Sequence, residues 1–209
     1  MDEPIRPLPR ERAARRRPRT PNPEVRARLL RAAGQLINEE GVSQLRVDRI
    51  ADKAGLSVGT FYLYFEGKAD LFANLVIELT GRMRERLRDA YARGTTTAER
   101  LEYALDSYLD FVAANEKGFL YFRDSGTVHT TVGSLNTWAF AQYAEDLRPL
   151  LEEGMERGDI LHADPELLAQ GLLGLMQHLA GFWIENRDRI SRADVKQMLI
   201  DVGTRALQP

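Results

Sequence analysis

Residues 50–71 read IADKAGLSVGTFYLYFEGKADL, and this stretch decides the fold. Val47, Ile50, Ala51 and Ala54 fall on the i, i+3, i+4, i+7 stripe of a short helix over 47–54, which Gly55 stops. Two residues further on, Ser57 is placed to cap another helix. The aromatic run Phe61-Tyr62-Leu63-Tyr64-Phe65 is therefore read as helical over 57–63, against its strand propensity. Each residue of the turn has a physical task. Ala51 lets two helices approach closely, Gly55 supplies left-handed backbone, Leu56 plugs the core, and Ser57 aims the next helical turn outward. A helix over 24–40 precedes them, opened by Asn22-Pro23-Glu24 and stopped by Gly41. Three short helices with tight turns predict a helix-turn-helix, in which one helix braces and another enters the DNA major groove.

Downstream the helical pattern continues. Glu66-Gly67 breaks the chain, and a long helix begins at Lys68 and runs through Leu71, Leu75, Leu79 and Leu87 to about Arg93. Thr96 and Glu99 form a capping box before Leu101, Leu105, Tyr108, Leu109 and Val112. A shorter aromatic segment follows from Phe119 to about Asp124, then a Gly/Thr-rich break over 125–134. A helix over 135–157 carries Pro149, where a kink is expected. Asp164-Pro165-Glu166 opens a helix to about Asn186, and Ser191 with Asp194 opens the last one. The expected fold is all-α: a three-helix helix-turn-helix unit over 24–67 and a six-helix unit over 68–209.

Charge divides the chain along the same line. The 209 residues carry a net charge of −2, but residues 1–68 hold 14 Lys/Arg against 9 Asp/Glu, while 69–209 hold 15 against 22. A basic first third suits a polyanion such as nucleic acid, and the acidic remainder argues against coating by it. Residues 1–23 form an Arg- and Pro-rich arm with Arg6, Arg10, Arg12, Arg15, Arg16, Arg17 and Arg19. It reads either as a minor-groove or phosphate contact beside the main site, or as a solubilising tail. With Cys 0 and His 3, disulfides, Cys-ligated metals and thiol nucleophiles are excluded, and a cytoplasmic location is expected.

Two further readings are set aside. Leu167 to Ile184 is apolar apart from Gln170, Gln177 and His178, but it is short for a membrane span and holds three glycines. A helix apolar nearly all round is better buried on several sides, in a subunit interface or in a protein core. Asp124-Ser125-Gly126-Thr127 matches the D-[ST]-G-T of aspartic proteases, yet that chemistry needs two such carboxylates on β-loops, and neither a second copy nor a strand is present. No other catalytic or metal motif occurs, so no enzyme, cofactor or metal is expected.

Residues 50–71, and with them 24–71 as a whole, resemble the signature of the TetR/AcrR family of bacterial one-component regulators. The resemblance implies a dimer of all-helical subunits that joins through its last two helices, here 165–186 and 191–206. It also implies a C-terminal domain that binds a small molecule and an operator of double-stranded DNA. Carried onto matching positions, it implies that Ser57, Val58, Gly59 and Thr60 face base edges or phosphates. Tyr62 and Tyr64 would sit near the DNA backbone, and Lys68 would meet phosphate by charge and helix dipole together. The family commonly has Ser or Thr just before Val47. Here Leu45-Arg46 stands there, and Arg46 is expected to replace the hydroxyl with an ionic contact.

For the effector site, the aromatic and polar candidates are Tyr108, Phe111, Phe122, His129, Trp138, Tyr143, His178 and Trp183. The reading that follows is a repressor released from a palindromic operator by a small apolar or aromatic effector, with large acyl or aromatic compounds favoured. A helical lipid or acyl-group carrier remains as the alternative. It accounts for the apolar C-terminal half but leaves residues 47–68 without a purpose.

Overall fold

The computed structural model describes residues 22–125 and 131–208, and among them all regular structure is helical. The helices are α1 (Pro23–Glu40), α2 (Val47–Lys53), α3 (Val58–Phe61), α4 (Lys68–Tyr91) and α5 (Thr97–Ala114). They continue as α6 (Glu116–Ser125), α7 (Thr131–Glu156), α8 (Pro165–Glu185) and α9 (Arg192–Ala206), with one 3₁₀ turn at Val42–Gln44 between α1 and α2. The Arg-rich arm lies outside the described residues but for its last two positions, Asn22 and Pro23.

Local chemistry sets the helix starts. The Asn22 side chain accepts from the Glu24 amide at 2.9 Å, and Asp164 accepts from the Leu167 amide at 2.9 Å. Both capping boxes form reciprocally, Thr96 with Glu99 and Ser191 with Asp194. The Glu99 carboxyl is held below its usual range by the Thr95 hydroxyl and then the Thr95 and Thr96 amides, and that of Asp194 by the Ser191 amide and hydroxyl.

Three boundaries depart from the sequence reading. Helix α3 stops at Phe61 because the Leu63 and Tyr64 amides bond back only three residues, to the Thr60 and Phe61 carbonyls. This tightened turn swings Leu63 outward and returns Phe65 to the core. Helix α6 begins at Glu116 rather than Phe119, because the chain needs only Asn115 to separate it from α5. Helix α7 begins at Thr131 rather than Leu135, for the helix penalty of Thr, Val and Gly is modest. Pro149 lies inside α7 and withholds one amide, yet the helix continues to Glu156.

Burial divides the apolar side chains into clusters that α4 links. Leu29, Leu30, Ile50, Phe61, Phe65 and Leu71 are at most 2% exposed and form the centre of the N-terminal cluster. Further along α4, Met83 and Leu87 enter a second cluster with Leu109, Val112 and Trp183. Arg84 fixes α4 to α7: its guanidinium forks onto Asp146 at 2.5 and 2.7 Å and donates to Gln142 at 2.6 Å. Helix α8 is long and apolar enough to cross a membrane by length and composition, with 33% of the relevant window buried. It packs on α5, α6, α7 and α9.

The turn between α2 and α3 needs its glycine. Gly55 has φ +65°, and a Cβ there would also lie 3.2 Å from the Arg28 guanidinium, which donates to the Ala54 carbonyl at 2.5 Å. Gly55→Ala is expected to cost about 1–2 kcal/mol. Calorimetry should then show the thermal midpoint falling by about 2–8 °C. An unchanged midpoint would contradict this account of the turn.

Candidate functional site

One face of the N-terminal unit leaves the first turn of α3 and the residues after it exposed. Ser57 caps α3 by accepting from the Thr60 amide at 3.1 Å, and the two hydroxyls are 2.9 Å apart. Val58 is 42% exposed beside exposed Gly59, where a Cβ would meet nothing closer than the Ser57 hydroxyl at 3.7 Å. Another backbone could approach closely there. Tyr62 is 56% exposed and stands edge-on to buried Phe61, with ring centroids 5.3 Å apart. Leu63, 77% exposed, lies beside it and was not among the sequence candidates. Its exposure follows from the early end of α3, which periodicity did not reveal.

The polar groups around this face differ in how free they are. The Tyr64 hydroxyl accepts from the Asn22 amide at 2.9 Å and keeps its own proton to donate. Lys68 is exposed on the first turn of α4, where unpaired amides and the helix dipole add to its charge. Arg46 forks onto Asp48 at 3.1 and 2.8 Å and draws that carboxyl below its usual range. Both partners are more than half exposed, so the pair is weak and the guanidinium can exchange to a phosphate. By contrast Arg49 and Lys53 of α2 are turned onto Glu40 and Glu39 of α1, where they brace the two helices.

The second feature is a pair of apolar cavities. The first, of about 100 Å³, is enclosed by α4, α5, α6, α7 and α8, and also by Gly34, Ile37 and Asn38 of α1. Tyr108, Phe111, Phe122 and Tyr143 line it, with Asn38, Thr80, Asn115 and Gln177 as further polar side chains. Burial drives the phenol pKa of Tyr108 upward, and that of Tyr143 up to about 12 despite a hydrogen bond with Thr80. Both phenols are neutral donors at physiological pH. The second cavity, of about 280 Å³, lies between α4, α5, α8 and α9, and Leu173 and Met176 line both.

The remaining effector candidates lie elsewhere. Trp138 is 38% exposed on α7 and lines neither cavity. His178 faces out of α8, one position beyond Gln177, which does reach the first cavity. Trp183 is buried in the second apolar cluster with Arg187 stacked 4.7 Å over its ring. His129 lies outside the described residues. Sequence reasoning missed Thr80, Asn115 and the three α1 residues, whose part in the cavity depends on how distant helices approach each other.

Helix α1 is tied to the effector half beyond the cavity wall. Asn38 donates to the Ala114 carbonyl at the end of α5 at 3.0 Å, and Lys117 of α6 donates to the Glu39 carbonyl at 2.5 Å. These two bonds join the end of α5 and the start of α6 to the C-terminal end of α1, the helix that braces α2.

An all-helical chain with a helix-turn-helix face at one end and an apolar cavity coupled to it defines a ligand-responsive DNA-binding regulator. Comparison with known proteins agrees. Residues 29–75 match the family model for bacterial regulatory proteins of the tetR family, and residues 94–207 match the tetracyclin repressor-like C-terminal domain. The chain belongs to the TetR family of transcriptional regulators. Among its relatives, the fatty acid metabolism regulator protein of Bacillus subtilis is 24% identical over 83% of this chain and 91% of its own length. The uncharacterized HTH-type transcriptional regulator YdgC of the same organism is 30% identical over 75% and 79%. The transcriptional regulator FadR of Bacillus subtilis, solved in complex with stearoyl-CoA, shares the fold, with a TM-score of 0.75, 22% identity and coverage of 87% of this chain and 99% of that one.

Proposed function

We propose that this chain is a repressor that binds a palindromic operator as a homodimer and is released by a long-chain acyl effector. The DNA-reading unit spans 24–67 and the effector unit 68–209, with α4 passing displacement from one to the other. The observation that carries this reading is the first cavity, whose wall includes both α1 of the reading unit and the effector helices. Bound ligand favours one placement of α1 and α4, and DNA affinity falls by linkage.

The acyl class is supported by shape and by relatives. The first cavity alone is small for an effector, whereas the two taken together past Leu173 and Met176 fall at the lower end of the range of about 300–1,000 Å³ usual for ligand sites. A long, unbranched apolar chain fits two chambers in series. The fatty acid metabolism regulator and the stearoyl-CoA complex among the relatives point to the same class.

At the DNA, Ser57, Val58, Gly59, Thr60 and Tyr62 are assigned to base edges and the adjoining backbone. Arg46, Tyr64 and Lys68 are assigned to phosphates. Selection of genomic fragments by the purified protein, followed by binding to the best fragment across a salt series, tests the reading. The expected result is one pseudo-palindromic site with half-sites about 34–36 Å apart, or a multiple of that. Binding should weaken steeply as salt rises. Weak, sequence-indifferent binding would contradict it and favour a helical acyl carrier.

A further inference from the structure

The mouth of the first cavity carries a charge pattern that an apolar chain alone does not call for. A cleft of about 260 Å³ adjoins the cavity and shares Gly34, Asn38, Leu75, Leu79, Phe111 and Asn115 with it. Three arginines line this cleft, and no Asp or Glu does. Arg31 stands on α1 in helical register with Gln35 and Asn38, and Arg82 and Arg86 stand one turn apart on α4. Arg31 and Arg86 have no hydrogen-bond or ion-pair partner among the described residues. Arg82 pairs with Glu78 at 3.0 Å in an exposed i,i+4 contact of little energetic weight.

The second cavity has the opposite character at its rim, with Glu99, Glu102 and Asp159. An amphiphile with an anionic head and an apolar tail thus has one favourable orientation here, with its head at the arginines and its tail toward Leu173 and Met176. Guanidinium groups are the side chains best matched to phosphate, through paired N–H donors.

We propose that the Arg31–Arg82–Arg86 cleft binds the phosphate-bearing head of an acyl effector. This rests on the acyl reading above and adds the head-group class to it. A phosphate bridging Arg31 to Arg82 and Arg86 ties α1 directly to α4, so the head group itself takes part in placing the DNA-reading unit. A free fatty acid brings a single carboxylate, which can pair with one guanidinium but lacks the third oxygen to bridge all three.

The test uses the full-length protein without DNA, so that loss of an operator contact cannot imitate loss of effector binding. Palmitoyl-CoA, palmitoyl lysophosphatidate and palmitate are titrated by calorimetry into the wild type and into the variants Arg31→Gln and Arg82→Gln/Arg86→Gln. At least one phosphate-bearing probe is expected to bind the wild type tenfold or more tighter than palmitate. The variants should remove most of that advantage and weaken palmitate binding far less than binding of the favoured phosphate probe. Which phosphate probe is favoured identifies the source of the head group.

Equal affinity of all three probes for the wild type would overturn the proposal, as would an advantage that survives in the variants. In both cases the acyl reading would stand. CoA alone, at millimolar concentration, separates the remaining case. Arginine-dependent binding of CoA with no binding of any palmitoyl probe would keep the head-group site and reject the acyl chain. Absence of all binding would reject both. Because the arginines are exposed, the variants are expected to keep the wild-type thermal midpoint, measured in parallel.

Discussion

Phe182→Glu is expected to sediment as a monomer and to bind the operator about 100- to 10,000-fold more weakly than the wild type, the advantage that a second linked site confers. The exposed face of α8 carries Leu167 at 73% and Phe182 at 43% exposure, with Gly171 and Gly174 exposed between them. A Cβ at either glycine would meet nothing within 4 Å, so the backbone there is open to a close neighbour. On α9, Met198 at 54% and Val202 at 37% add apolar surface. A two-fold interface puts the same patch on both subunits, so one substitution places two carboxylates in it. Because Phe182 is partly exposed in the protomer, the fold should survive, with unchanged helicity by circular dichroism. Analytical ultracentrifugation and operator binding by fluorescence anisotropy check the two effects. A variant that stays dimeric with unchanged affinity would place the interface elsewhere.

Met176→Trp is expected to abolish release by stearoyl-CoA while sparing release by decanoyl-CoA. Met176 and Leu173 stand between the two chambers, and a flexible thioether can move aside for a chain where an indole cannot. Keeping about six methylenes out of the inner chamber forfeits roughly 5 kcal/mol at about 0.8 kcal/mol each. That corresponds to more than about 1,000-fold in affinity. The midpoint of operator release across a series of acyl-CoA chain lengths measures it. A uniform response to all lengths in the variant would show that the chain does not pass this point.

Much of the fold was legible because its signals are local. Asn22, Ser57, Thr96, Asp164 and Ser191 each act on an amide two or three residues away, so the sequence alone locates those helix starts. The end of α3 was less legible, since Phe61 and Phe65 enter the core through a turn that periodicity treats as more helix. The cavity was legible only in part. Periodicity identifies the buried face of a helix, but not which part of that face meets a void and which meets another side chain. Tyr108 and Tyr143 reach the cavity, whereas Trp183, equally apolar in context, packs in the core. Nothing local could have brought Gly34, Ile37 and Asn38 to the wall of the first cavity. The same holds for Arg31, which is about fifty positions from Arg82 and Arg86 in the chain yet shares one cleft with them.

An acyl effector and the operator are expected to compete through α1 and α4. Titration of stearoyl-CoA into the preformed complex of the dimer with its selected operator, followed by anisotropy of the labelled DNA, measures that competition. The account predicts release, with operator affinity weakened about 5- to 150-fold at saturating effector. It also predicts the reciprocal weakening of stearoyl-CoA binding by operator DNA. Stearoyl-CoA binding with unchanged operator affinity would contradict the account, because a ligand in that cavity would then leave the DNA-reading unit untouched.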